Sequence, residues 1–222
     1  MNDPQQHPAW HSRGYLPHFE GGEVFQFITF RLKDSLPRAV LEGWRRQLAR
    51  EDEATLRRRV EAYLDEGYGG AHLKDPRAAA LVQNALLHHD GDQYRLTAWV
   101  VMPNHVHLLA LPRRGYSLSA IVHAIKSYTA SEVNKLLGRR GAFWMEDYFD
   151  RYIRDADHYG KTVAYIEHNP VKARLCKTPA DWLYGSARLR AAKIAVTDAG
   201  SAGIPARHER DSANKSCDEE QG

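Results

Sequence analysis

Val100-Val101-Met102-Pro103-Asn104-His105-Val106-His107-Leu108-Leu109-Ala110 is the stretch on which the reading of this chain turns. It is apolar and rich in β-branched residues, with Pro103 inside it and Pro112 just beyond. Such a run is one strand interrupted early, or two strand pieces joined at Pro103. Side chains alternate along a strand, so His105 and His107 share one face and Val106 points to the other. Their Cα atoms would stand roughly 6–7 Å apart, close enough for both imidazoles to reach one divalent cation. With 12 histidines in 222 residues, a chance His-x-His is expected about 0.6 times, so the spacing alone carries little. The apolar setting carries more, because a buried strand face holds two imidazoles only when something satisfies them. A metal site and a pair of hydrogen-bonded structural histidines are both consistent with this stretch taken by itself.

Outward from it, Tyr94 to Met102 reads as a strand, and Asp90-Gly91-Asp92 before it as a turn. Val24 to Leu32 has strand composition with most of both faces apolar, which suits a central strand. Between them, apolar residues from Leu41 to Leu64 recur at helical spacing behind Pro37, with arginines on the other face. The expectation is one long amphipathic helix ended by Gly67, Gly69 and Gly70. Asp75-Pro76 starts a second helix that runs to about His89. Ser117 caps a third, to about Leu137, whose apolar stripe runs from Leu118 through Ile125 to Leu136. Glu132 falls inside that stripe and Tyr128 on its edge, one turn apart. A carboxylate on a buried side needs a cation beside it. Asp147 to Ile153 alternates like a strand, and Asp155 begins a last helix expected to end at Asn169-Pro170. Hairpin-linked strands with helices covering one face indicate an α+β domain on an antiparallel sheet.

The net charge of +3 does not by itself announce a nucleic-acid partner. Two distant cysteines, Cys176 and Cys217, do not make a disulfide framework. No stretch approaches a membrane span and the polar N-terminus has no signal core, so a soluble cytoplasmic protein is expected. The expected organisation is an arm over 1–22, a domain over 23–188 with a helical insert at about 37–89, and a disordered tail over 189–222.

Four motifs in order then make the chain recognisable: Trp99 to His107, Lys126-Ser127-Tyr128-Thr129, Phe143 to Arg154, and Tyr165-Ile166-Glu167-His168-Asn169-Pro170-Val171-Lys172-Ala173. The series resembles the REP-associated tyrosine transposases, a branch of the single-tyrosine HUH transposases of the IS200-like kind. The resemblance covers roughly residues 14–188. It implies a ferredoxin-like sheet with the histidines on a central strand and a catalytic tyrosine on a facing helix. It also implies Mg²⁺ or Mn²⁺ held by His105, His107 and a polar side chain one turn after the tyrosine. In relatives that side chain is often an amide. Taking Tyr128 as the nucleophile puts Glu132 at that position, with Lys126 and Lys135 as groups that would ease ionisation of the phenol.

The implied activity is cleavage and rejoining of single-stranded DNA at hairpin-forming palindromic repeats through a 5′-phosphotyrosine, by a monomer or homodimer. Arg45, Arg46, Arg113, Arg114, Lys126, Arg139 and Arg140 are the expected phosphate contacts, and Trp144 the expected base-stacking ring. The rival expectations are a catalytically silent hairpin-binding protein and a metal-dependent hydrolase without a covalent intermediate.

Overall fold

The computed structural model describes residues 10–12, 17–19, 23–47 and 53–192. The elements in chain order are β1 (Trp10–Ser12), β2 (Pro17–Phe19), β3 (Gln26–Arg31), α1 (Arg38–Gln47), α2 (Glu53–Asp65), α3 (Pro76–His88), β4 (Tyr94–Val101), β5 (His105–Pro112), α4 (Leu118–Leu136), β6 (Phe149–Tyr152) and α5 (Ala156–Lys172). β1 and β2 pair with each other. The main sheet is fully antiparallel, in the order β4-β5-β3-β6. That is the order of a ferredoxin-like βαββαβ unit, with β3 and β5 in the centre.

Pro103 separates two strand pieces. Met102 N–H donates to His105 O at 2.9 Å across a tight turn, so β4 and β5 form a hairpin. Proline donates no hydrogen bond and fits the turn rather than the ladder. The free edge of β4 is covered by the chain after α5: Val101 N–H donates to Tyr184 O at 2.8 Å and Trp99 N–H to Ser186 Oγ at 3.2 Å. That cover protects an otherwise unpaired edge.

The alternation of β5 divides the core. Val106, Leu108 and Ala110 pack against Ala78, Val82 and Leu86 of α3 and Ile121, Val122 and Ile125 of α4. Leu109, with Phe27 and Val100, packs against Ile166 of α5 on the other face. Helices therefore cover both faces of the sheet, where one covered face was expected. The apolar side of α5 demands its own sheet face, because α3 and α4 already fill the first.

The arginine-rich segment is two helices, α1 and α2, in place of the single helix expected; 48–52, between them, lie outside the described residues. α5 also outlasts its expected end. It continues through Pro170 to Lys172, and Ala173 N–H donates to Asn169 O at 2.9 Å. Proline near a C-terminus removes one amide without stopping the final turn. Helix persists over 186–192; the rest of the expected tail, 193–222, and most of the arm, 1–9, 13–16 and 20–22, lie outside the described residues.

Candidate active site

His105 and His107 are fully buried on β5 and face α5, with Nε2 atoms 3.0 Å apart. The amide of Asn104 orients the first. Its Nδ2 donates to Leu64 O at 3.2 Å and Tyr68 O at 3.0 Å, so its Oδ1 faces His105 Nδ1 at 2.6 Å as acceptor. Nδ1 of His105 therefore carries the proton and Nε2 the lone pair. Thr29 Oγ1 stands 2.7 Å from His107 Nδ1 and orients the second ring in the same way. Two nitrogen lone pairs this close repel unless a proton or a cation lies between them. Burial above all holds the His105 pKa well below the usual histidine value, which keeps it neutral and able to ligate.

The third group is Asp65, at the end of α2 and 3% exposed. Its Oδ1 lies 3.6 Å from His105 Nε2 and 3.9 Å from His107 Nε2. Asn169 Nδ2 donates to Asp65 Oδ1 at 3.0 Å and Lys172 Nζ to Oδ2 at 2.7 Å, both from the last turn of α5. Burial works to raise the Asp65 pKa, but His107, Lys172 and Asn169 outweigh it and keep the carboxylate ionised. Ligand atoms of Asp65, His105 and His107 all lie within 4.8 Å of one another.

Tyr165, one turn before Asn169 on α5, completes the cluster. Its ring centroid is 5.3 Å from His107 and 5.8 Å from Phe27. Its hydroxyl and the Asn169 carbonyl oxygen are buried without hydrogen-bond partners. Burial above all, then the Asp65 and Glu61 carboxylates, pushes the Tyr165 pKa above the ordinary phenol value, with the neighbouring Asn169 amide working weakly against them.

This donor set fits a hard divalent cation. Neighbouring ligands of an octahedral ion at about 2.1 Å stand about 3 Å apart, as the two imidazole nitrogens do. Asp65 adds an anionic oxygen, and the orphaned Asn169 oxygen is a further neutral one.

Tyr128 and Glu132 are not brought to this site. α4 packs on the opposite sheet face, with Tyr128 58% exposed beside α3. Glu132 sits at the edge of its stripe, and its Oε1 accepts from Lys135 Nζ at 2.6 Å. Periodicity misplaced it because a lysine three residues on holds the carboxylate at the surface. Lys126 donates to Glu146 O at 2.7 Å and so is tied to the loop after α4. Trp144 is 5% exposed, donates Nε1–H to Thr129 Oγ1 at 2.9 Å and packs edge-on to Phe30, so its ring is core and unavailable to a base. Arg139 bonds His72 Nδ1 at 3.1 Å and lies 3.8 Å from Asp34. Arg45, Arg46, Arg113, Arg114 and Arg140 are exposed.

Residues missed in the sequence are Asp65, Tyr165 and Asn169. Two of them had a signal: a tyrosine followed one turn later by an amide, the pairing common in relatives, occurs unaltered at Tyr165 and Asn169. Asp65 had none, being one acid among several in an arginine-rich helix.

Comparison with known proteins agrees with this architecture. Residues 77–169 match the family of IS200-like transposases. The matched segment opens in α3, holds both histidines and closes on Asn169. The resemblance read from the motifs is thereby borne out. A REP-associated tyrosine transposase of Escherichia coli (strain K12) is 29% identical over 94 residues, 42% of this chain and 54% of that protein. The chain thus matches about half the length of that curated relative. A solved structure of a REP-associated tyrosine transposase bound to a REP hairpin superposes with a TM-score of 0.50 at 18% identity, covering 93% of this chain and 98% of that one. At that identity the likeness speaks for the fold. Among the described residues no helix is long and apolar enough to cross a membrane.

Proposed function

We propose that the protein cuts and rejoins single-stranded DNA at hairpin-forming repeats, with Tyr165 as nucleophile and His105, His107, Asp65 and Asn169 as holders of Mg²⁺ or Mn²⁺. The observation that carries this reading is the buried, unpartnered hydroxyl of Tyr165 beside the His107 ring, on the helix that supplies Asn169.

The Tyr165 oxygen attacks phosphorus in line, the bond from phosphorus to the 3′ oxygen breaks, and the phenolic proton is matched by the one gained on the leaving 3′ oxygen. The strand is left with a free 3′-OH and a 5′-phosphotyrosine, and an incoming 3′-OH reverses the step to join strands. When bound, the cation supplies positive charge against the non-bridging oxygens of the phosphate. Asn104 and Thr29 hold the two imidazoles in their ligating orientation. Phe27 packs beside both His107 and Tyr165 and limits their movement. Lys172, 59% exposed, pairs with the buried Asp65 and holds its Oδ2, so that Oδ1 faces the two imidazoles. The exposed arginines Arg45, Arg46, Arg113, Arg114 and Arg140 are the reading's phosphate contacts.

The test is incubation with a hairpin-bearing single strand taken from DNA flanking the gene, labelled at its 3′ end, followed by a denaturing gel. The label should travel with the protein, and only when Mg²⁺ or Mn²⁺ is present. Binding without an adduct would mark a silent hairpin-binding protein. Two free products without an adduct would mark a hydrolase.

A further inference from the structure

Tyr68 is 52% exposed, yet its backbone is fixed. It sits between Gly67 and Gly69, whose φ angles of 75° and 78° favour glycine. At Gly69 a side chain would also collide with the backbone of Ser35. Tyr68 O accepts from Asn104 Nδ2 at 3.0 Å, and the same amide orients His105. One side chain thus ties the Tyr68 turn to the metal-binding histidine.

The ring is also backed. Tyr63 lies 4.9 Å from it, its plane tilted by 40°, and Trp44 meets Tyr63 edge-on at 5.7 Å, which makes a three-ring cluster from the turn across α2 to α1. Arg45 and Arg46 follow Trp44 and are exposed, and Arg59 bonds Gln47 Oε1 at 3.2 Å, which brings a third guanidinium to that end of α1. Glu61 and Glu66 flank the tyrosines along the chain. The arginines at that end of α1 favour a phosphate beside the ring cluster. A π face with cations further along fits an unpaired base followed by its backbone.

We propose that Tyr68, backed by Tyr63 and Trp44, stacks an unpaired base of the strand that leads into the cleavage site, an inference that rests on the single-strand DNA reading above. Trp144 was the expected stacking ring; burial removes it and leaves this surface in its place.

The probe is a fluorescein-labelled hairpin oligonucleotide with oligo-dT single-stranded arms, compared by anisotropy with the same hairpin lacking arms. The proteins are the full chain and its Tyr68→Ala, Tyr68→Phe and Tyr68→Trp variants. Tyr68→Ala should weaken binding to the armed hairpin by roughly 10-fold and leave the armless hairpin unaffected. Its salt slope should match wild type, because no phosphate contact is lost. Phe should retain affinity, and the emission of Tyr68→Trp should be quenched as the armed hairpin binds. Equal loss in the Phe variant, or a Trp emission that does not move, would overturn the stacking role. If wild type binds the armed hairpin and Tyr68→Ala binds it equally, the platform falls and the DNA reading stands. If wild type binds neither hairpin, the DNA reading falls and takes the platform with it.

Discussion

The ring of Tyr165 lies 5.3 Å from that of His107, and its hydroxyl oxygen is buried without a partner. An unpaired buried polar group costs about 1–3 kcal/mol, so removing this hydroxyl should not weaken the fold. Tyr165→Phe should abolish the covalent adduct while the thermal midpoint holds or rises. Tyr128→Phe should change neither, since that hydroxyl is on the far sheet face. An adduct formed by Tyr165→Phe, or lost in Tyr128→Phe, would reverse the assignment.

How far the sequence speaks is set by this same pair of tyrosines. The hairpin, the central strand and the shared face of His105 and His107 follow from a period of two, which needs no tertiary information. α4 and α5 were equally legible as helices. Periodicity tells which side of a helix is apolar, but not which face of a sheet that side meets. Stripe position therefore does not choose between Tyr128 and Tyr165; the amide one turn after Tyr165 is the sequence signal that favours it, and α3 and α4 occupying one face together agrees. Asp65 was out of reach for a related reason: its role follows from Asn169 and Lys172, more than a hundred residues away, converging on one carboxylate.

Asn104 should behave as a positioning residue. Asn104→Ala leaves the Tyr68 carbonyl unpaired, strips one of the two donors from Leu64 O, which keeps Gly67 N–H, and frees the His105 ring. The expected losses are about 1–3 kcal/mol of stability and roughly 10–100-fold in metal affinity. Denaturant melts and Mn²⁺ titration monitored by calorimetry read the two separately. Metal affinity left at the wild-type value would show that His105 is held by other contacts.

Trp144 and Lys126 should report on the fold and not on DNA. Trp144→Ala removes a core ring and its bond to Thr129, at a cost of about 3–5 kcal/mol, with affinity per folded molecule unchanged. Burial pushes the Lys126 pKa down to about 8, against the opposing pull of Asp147 and Glu146. Below that pH both folded and unfolded chains carry the proton, and the folded state bears the cost of the buried charge. Between about 8 and the ordinary lysine value of about 10.4 the unfolded chain binds more protons, so stability should rise with pH across that window. Lys126→Gln should flatten the rise in a series of thermal melts. A rise of the same size in the variant would place its source elsewhere.

The metal requirement separates the two candidate carboxylates. Asp65 is buried within 4 Å of both histidine nitrogens, whereas Glu132 is bound to Lys135 at the surface of another helix. Asp65→Asn keeps an oxygen of similar shape but removes the negative charge, so the Mg²⁺ or Mn²⁺ concentration for half-maximal adduct formation should climb. Asn169→Ala removes a neutral oxygen and the donor that holds Asp65, and its curve should also move to higher metal. Glu132→Gln should superimpose on wild type. The comparison needs all four proteins at one pH and one ionic strength, with adduct formed at saturating metal as the reference for each. A shift in Glu132→Gln with none in Asp65→Asn would return the third ligand to α4, and with it the nucleophile to Tyr128.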